Sequence, residues 1–298
     1  MTLEQLRIFV AVAEREHVTQ AARALNMTQS ATSAAITALE SRYATRLFDR
    51  VGRRIALTEA GRLFLIEARA VLARAAAAER VLADLADLKR GSLSIAASQT
   101  VASYWLPQVV ERYRKRYPGI AIVQSIGNTE YVAARVRDGL ADLGFAEGEI
   151  DAASLLATPV ASDELVLVVP CRHPWARRPP RSPAEIAAGP WVLREPGSGT
   201  RSIFEAALPK LGLAPAQLQL ALEVPSNEAV RAAVEAGTGV TAISRLVVAN
   251  ALKAGTLVGV KLDLPRRHFF VLQHRERYAT KAAQAFVGLV AGSGAAGV

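Results

Sequence analysis

Asn26-Met27-Thr28-Gln29-Ser30-Ala31-Thr32-Ser33-Ala34-Ala35-Ile36-Thr37-Ala38-Leu39-Glu40 opens a helix with two unlike sides. Asn26-Met27-Thr28 interrupts the helical pattern before it. Thr28 then reads as an N-cap, because its hydroxyl can accept from the orphan N–H groups of a first turn beginning at Gln29. At about 100° per residue, Thr32, Ile36, Leu39 and Tyr43 share one side, and Ser30, Ser33 and Thr37 share the adjacent one. The first side is expected to pack, and the second is short and polar. Upstream, Leu3, Leu6, Phe9, Val10 and Ala13 recur at three- and four-residue spacing, and Ala21, Ala24 and Leu25 begin a second short stripe. The product is helix, short turn, helix.

Downstream of the helix that runs to about Tyr43, Asp49-Arg50-Val51-Gly52-Arg53-Arg54-Ile55 reads as a glycine turn between two short extended pieces, a small wing rich in arginine. From Thr58 to Arg90 Ala, Leu, Glu and Arg dominate, with Gly61 the one interruption, which predicts a long helix. About thirty residues at 1.5 Å each span roughly 45 Å. Leu65, Leu72, Leu82, Leu85 and Leu88 on that helix are expected to face a partner chain, because one short domain offers them no cover.

After Gly91 the pattern alternates. Strands are expected at Leu93–Ala97, Ile120–Ile126, Leu143–Phe145, Leu165–Val169, Trp191–Leu193, Leu218–Val224, Val240–Ile243 and His268–Gln273. Helices are expected near Val101–Arg116, Glu130–Asp138, Thr200–Leu208, Asn227–Glu235 and Tyr278–Val290, with Gly292–Val298 too glycine-rich to order. This is α/β architecture in two lobes.

Composition excludes several classes. Of the 298 residues 51% are hydrophobic and 21% charged, enough apolar material for a sizeable core and too much for disorder. A single cysteine, Cys171, excludes an internal disulfide and reads as a packed thiol rather than a redox sensor, and four scattered histidines make no metal cluster. With no long apolar run and no charged-then-apolar leader, a cytoplasmic protein without membrane contact is expected. The net charge of +9 suits an anionic partner such as nucleic acid, but it is spread evenly: residues 1–90 hold 14 basic and 10 acidic side chains, residues 91–298 hold 22 and 17.

The polar face of the Gln29 helix suits the DNA major groove, where Gln29 can pair with adenine N6 and N7 and short side chains let the backbone approach phosphates. The same face also suits an ordinary helical bundle in water. Phe9-Val10-Ala11-Val12-Ala13, Thr19-Gln20-Ala21-Ala22, Thr28-Gln29-Ser30-Ala31-Thr32-Ser33, Leu39-Glu40, Leu47-Phe48-Asp49-Arg50 and Leu57-Thr58-Glu59-Ala60-Gly61 resemble, in order and spacing, the winged N-terminal domain of LysR-type transcriptional regulators. The resemblance implies a winged helix-turn-helix at 1–58, a linker dimerisation helix at 59–90 and an effector domain at 91–298 resembling type 2 periplasmic binding proteins. In that effector domain, lobe I would comprise about 91–161 and 266–298, and lobe II about 162–265. It also implies double-stranded operator DNA, a small-molecule effector, self-association to dimers and tetramers, and RNA polymerase as a further partner.

The DNA-binding set is then Thr28, Gln29, Ser30, Ser33 and Thr37 on the helix, with Arg50, Arg53 and Arg54 on the wing. Arg50 has a second reading, an ion pair with Asp49 or Glu40. Where many relatives carry basic or amide side chains, this chain has Ala34, Thr37 and Ala38. Direct base reading is therefore thin, and specificity leans on Gln29, Ser33, the wing and DNA deformation.

Four strand-to-helix junctions of the second half carry small polar residues: Ser98-Gln99-Thr100, Gly127-Asn128-Thr129, Gly197-Ser198-Gly199-Thr200 and Ser226-Asn227. Each is an N-cap taken singly. Converging on one cleft, they would make an anion site of helix N-termini, with Gly197 and Gly199 allowing close backbone approach and Arg201 supplying charge. Glu147 and Glu195 either oppose an anion or hold arginines such as Arg201 in place.

Arg194-Glu195-Pro196-Gly197-Ser198-Gly199-Thr200-Arg201, with Ile126-Gly127-Asn128 and Phe145-Ala146-Glu147-Gly148, looks like a LysR subgroup that includes sulfur-metabolism regulators of the YeiE and CysL kind and the CbbR carbon-fixation regulators. The first kind implies a small sulfur oxyanion such as sulfite, the second a carboxylate or phosphorylated metabolite. An enzyme is the competing class. The chain has no P-loop lysine, nucleophile elbow or His-Glu-x-x-His helix, so no catalytic constellation and no cofactor are expected. A transported-solute receptor is opposed by the N-terminal DNA module, and a nucleoid protein by the elaborate second half.

Overall fold

The computed structural model describes residues 1–51, 54–86, 91–150 and 153–291, without the side chains of Val51, Arg54, Arg80 and residues 83–86. The chain divides into two compact units, one of Met1–Leu82 with Asp138–Leu140, the other of Ala83–Arg137 with Ala141–Val298.

In the first unit, α1 (Leu3–Arg15), α2 (Val18–Ala24) and α3 (Gln29–Tyr43) precede a hairpin of β1 (Phe48–Val51) and β2 (Arg54–Leu57), then α4 (Glu59–Ala86). Thr2 starts α1 with a capping box shared with Gln5, and Thr28 starts α3 by accepting from Ala31 N–H at 3.2 Å. Thr58 starts α4 by accepting from Gly61 N–H at 2.9 Å. Leu6, Phe9, Val12, Ile36, Leu39 and Leu47 form the core, and Phe9 packs against Phe64 of α4 with the rings tilted and 4.8 Å between their centres.

Two sequence expectations change here. Tyr43 is exposed, because the packed side of α3 ends at Leu39 and the helix runs past the core. Leu65 and Leu72 are half-buried against the unit's own core beside Ala68, since this part of α4 packs on its own domain; the exposed apolar residues of α4 are Leu63, Ile66, Val71 and Leu82. The expectations for Leu85, Leu88 and Gly292–Val298 lie outside the described side chains.

The second unit contains β3 (Gly91–Ser98), α5 (Gln99–Tyr104), α6 (Leu106–Arg116), β4 (Ile120–Gly127), α7 (Thr129–Arg137), β5 (Leu143–Glu147), β6 (Leu155–Pro170), α8 (Pro183–Ala187), β7 (Pro190–Arg194), α9 (Gly199–Ala207), β8 (Gln219–Val224), α10 (Asn227–Glu235), β9 (Thr241–Ser244), α11 (Arg245–Ala254), β10 (Leu257–Val260), β11 (Arg266–His274) and α12 (Lys281–Ala291). β3 pairs in parallel with β4 and β5, and β11 runs antiparallel between β5 and β6. β6 continues to pair antiparallel with β9 and β10, while β7 and β8 form a separate parallel pair.

One core gathers Leu93, Ile95, Tyr113, Phe145, Phe269 and Phe286, and another Leu165, Leu167, Trp191, Leu193, Phe204 and Val240. β6 runs from the first neighbourhood into the second. Its first half was not expected as strand, because Pro159, Ser162 and Asp163 break the apolar run. A register shift opposite Phe269 and Phe270 accommodates the proline. The single helix expected over Val101–Arg116 is two, broken at Trp105 with Pro107 at the start of α6, where a missing N–H costs least. Cys171 is exposed, not packed: β6 ends one residue earlier, at Pro170, and the chain turns into solvent.

Candidate nucleic-acid face and effector cleft

Gln29, Ser30, Ser33, Ala34, Thr37 and Ala38 are all exposed on α3, while Thr32, Ile36 and Leu39 are buried on the other side. Thr28 is exposed at the helix start, its hydroxyl 3.1 Å from that of Ser30. A continuous face of short side chains therefore surrounds the positive end of α3. Arg50 is exposed on β1 and pairs with neither acid proposed for it among the described residues. Glu40 instead accepts from the N–H groups of Leu47 at 2.7 Å and Phe48 at 3.1 Å, which fixes the start of the wing. Arg53 and the side chain of Arg54 lie outside the described residues.

In the second unit the four polar junctions meet. They stand at the carboxyl ends of parallel strands and at the amino ends of α5, α7, α9 and α10, the usual place for ligands in open α/β sheets. Gln99 bridges two junctions with both ends of its amide: Nε2 donates to Pro225 O at 2.7 Å, and Oε1 accepts from Asn227 N–H at 2.9 Å. Buried Asn227 donates to Thr100 Oγ1 at 3.0 Å and accepts from Arg194 Nη1 at 2.6 Å. Asn128 donates to Glu195 at 3.1 Å and caps α7 by accepting from Tyr131 N–H at 2.9 Å.

Glu147, at the end of β5, is buried. It accepts from Ser98 Oγ, and from Thr200 Oγ1 at 3.4 Å, and sits 3.5 Å from Arg267 Nη1. Arg267 also donates to Thr200 Oγ1 at 2.9 Å and, through Nε, to Asp163 at 2.8 Å; its Nη2 is 2.6 Å from the same Asp163 oxygen but off the hydrogen-bond axis. Gly199 packs so tightly on this strand end that an added Cβ would lie 2.0 Å from the Glu147 carbonyl, so the close approach that its sequence suggested is to protein. Gly197 takes a left-handed φ of 83°, which turns the chain into α9. Ser198 occupies the N-cap position of α9, is buried, and makes no capping hydrogen bond.

The two acids hold arginines, though not the one anticipated. Glu195 grips Arg194 with both oxygens, at 2.8 and 3.0 Å. Burial pushes the Glu195 carboxyl up, and the Arg194 guanidinium with the Asn128 amide outweighs it, holding the group below the ordinary range. Arg201 turns away to Glu205 at 2.7 Å and Glu223 at 2.5 Å; burial opposes its charge, and these two carboxylates more than restore it. Its charge is thus already compensated.

Arg267 and Asp163 were missed in the sequence, yet a signal was there. Arg267 shares strand parity with buried Phe269 and Val271, and Asp163 with buried Leu165, Leu167 and Val169. A charge on the inward parity of a strand needs a buried partner, and the ladder sets these two directly opposite each other.

Residues 3–62 match the bacterial regulatory helix-turn-helix protein, lysR family, and residues 86–294 match the LysR substrate binding domain. The chain is 38% identical over 289 residues to the uncharacterized HTH-type transcriptional regulator YeiE of Escherichia coli strain K12, covering 96% of each chain. It is 32% identical over 290 residues to a probable RuBisCO transcriptional regulator of Cyanophora paradoxa, covering 96% of this chain and 90% of that one. The fold superposes on the crystal structure of CbnR, a LysR family transcriptional regulator, with a TM-score of 0.73 at 21% identity, over 99% of both chains. These matched families are of regulators rather than enzymes, and among the described residues no helix is long and apolar enough to cross a membrane. The chain belongs to the LysR family: it is a transcriptional regulator with an N-terminal DNA-binding helix-turn-helix and a C-terminal effector-binding domain.

Proposed function

We propose that this regulator reads operator DNA with α3 and the wing and answers to a small oxyanion, sulfite or a chemical relative, held where the four junctions meet. The division is 1–58 for DNA, 59–90 for the linker and 91–298 for the effector domain, its lobes exchanging near residues 161 and 265. Gln29, Ser30, Ser33 and Thr37 face the major groove behind the Thr28 cap, and Arg50, Arg53 and Arg54 meet the backbone and the neighbouring minor groove.

The observation that carries the effector reading is the uncapped, buried Ser198 at the amino end of α9, two residues before buried Thr200. Fixed N–H groups at a helix end bind anions without a dedicated lysine. Arg201, Arg194 and Arg267 are each paired with carboxylates, so the reading rests on the first-turn N–H groups of α9 and on hydroxyls rather than on a free cation. A carboxylate or phosphorylated metabolite, which the resemblance to carbon-fixation regulators implies, is the second reading.

A saturating oxyanion should raise the melting temperature of the full-length protein, because a ligand at a hundred times its Kd stabilises by about 2.7 kcal/mol. Thr100→Val and Ser198→Val should each cut that shift while leaving the unliganded protein folded. A larger shift from an aromatic or cationic compound, or full shifts in both valine variants, would refute the oxyanion site.

Self-association is the other part of the proposal. Leu63, Ile66 and Leu82 of α4 are 60 to 70% exposed, apolar surface that a partner copy of this helix would cover. Leu63→Glu with Leu82→Glu should dissociate the assembly in sedimentation velocity runs. An unchanged sedimentation coefficient for the folded double variant would place the contact elsewhere.

A further inference from the structure

We infer that Glu147 makes the effector cleft select an oxyanion that carries a proton, such as hydrogen phosphate or hydrogen sulfite, over a fully ionised oxyanion of similar size such as sulfate. This rests on the oxyanion reading above and adds the protonation state of the ligand.

The argument is a count of protons. A hydroxyl has one to give. Ser98 directs its proton to Glu147 Oε2, while its oxygen accepts from Val101 N–H at 3.4 Å. Thr200 accepts from Arg267 at 2.9 Å and directs its proton to Glu147 Oε1 at 3.4 Å. Thr129 gives its proton to the Glu147 carbonyl at 2.7 Å. Three hydroxyls that the sequence offers to an anion are therefore already spent on one acidic residue. Donors remain at Ser198, at Thr100, whose oxygen only accepts from Asn227, and at the first-turn N–H groups of α9.

The acceptors are equally specific. A carboxylate offers about four lone-pair sites and no proton, and Ser98 and Thr200 use two of them. Thr200, in the first turn of α9, directs its hydroxyl to Glu147 Oε1 at 3.4 Å, so a ligand seated on that turn lies within reach of this side chain. The charges facing Glu147 do not neutralise the place. Arg267 approaches from β11 with Asp163 of β6 behind it, leaving one formal negative charge among the three, and the nearby Arg194–Glu195 pair cancels itself. A fully ionised anion meets an uncompensated carboxylate there. An anion with an O–H donates to it, turning repulsion into a charge-assisted hydrogen bond.

Calorimetric titration of the full-length protein with phosphate, sulfite and sulfate near neutral pH tests this. The better of phosphate and sulfite should bind roughly tenfold or more tightly than sulfate, a difference of about 1.4 kcal/mol or more. Glu147→Gln, whose amide replaces one acceptor by a donor, should bring sulfate level with the protonated anions, and Glu147→Asp should keep the preference. Equal binding of sulfate by the wild type, or an undiminished preference in Glu147→Gln, overturns the inference and leaves the oxyanion reading intact. No binding of any of the three overturns both. Should Glu147→Gln fail to fold by circular dichroism, the wild-type ratio and Glu147→Asp decide the matter.

Discussion

Arg267→Leu is expected to destabilise the effector unit by about 3–5 kcal/mol, the usual cost of removing one partner from a buried ion pair. Glu147 and Asp163, whose side chains are 3% and 2% exposed, would be stranded without their shared cation, and Thr200 would lose its donor. All three tryptophans, Trp105, Trp175 and Trp191, lie in this unit, so urea unfolding followed by tryptophan fluorescence reads it without the DNA-binding unit. Arg267→Leu combined with Asp163→Leu should recover part of the loss, because the two positions face each other across the ladder and an apolar pair fits there, while Glu147 still lacks its cation. A single variant within about 1 kcal/mol of wild type would mean that the cluster is solvated rather than buried.

The second large effect lies at the other end of the chain. Ser33→Glu should weaken operator binding about a thousandfold, since a carboxylate on the groove face of α3 meets the phosphate field with a like charge worth several kcal/mol. Ser33 is exposed, so the fold should tolerate the change to within about 0.5 kcal/mol. Fluorescence anisotropy with the intergenic DNA beside the gene, against a random duplex over a salt series, separates specific from electrostatic binding. Equal affinity of wild type and variant for the intergenic DNA would remove α3 from the groove.

Much of this architecture is legible locally. Thr28 caps α3 where the sequence places it, and α3 ends at Tyr43 as the spacing predicts. The wing, the long helix after Thr58 and most strands of the second unit follow from patterns within ten or fifteen residues. Strand β10, helices α8 and α11 and the first half of β6 were not legible. In β6 the signal is diluted by Pro159 and by polar residues that only its partner strand satisfies.

The cleft shows the same division more sharply. Sequence alone supplied the chemistry of the junctions, because serine, threonine, asparagine and glycine at helix starts follow from the capping needs of each helix. It could not assign partners. Glu205 is one turn from Arg201, but whether Arg201 also meets Glu223, whether Glu147 opposes a ligand or receives Ser98 and Thr200, and which cation faces it all depend on residues 22 to 120 positions apart in the chain. Propensity and capping act over one helical turn, and the sequence carries them whole. Burial of a charge is a property of everything packed around it. Only the tertiary structure, by bringing β5, β6, β11 and α9 together, decided that Glu147, Asp163 and Arg267 form one site.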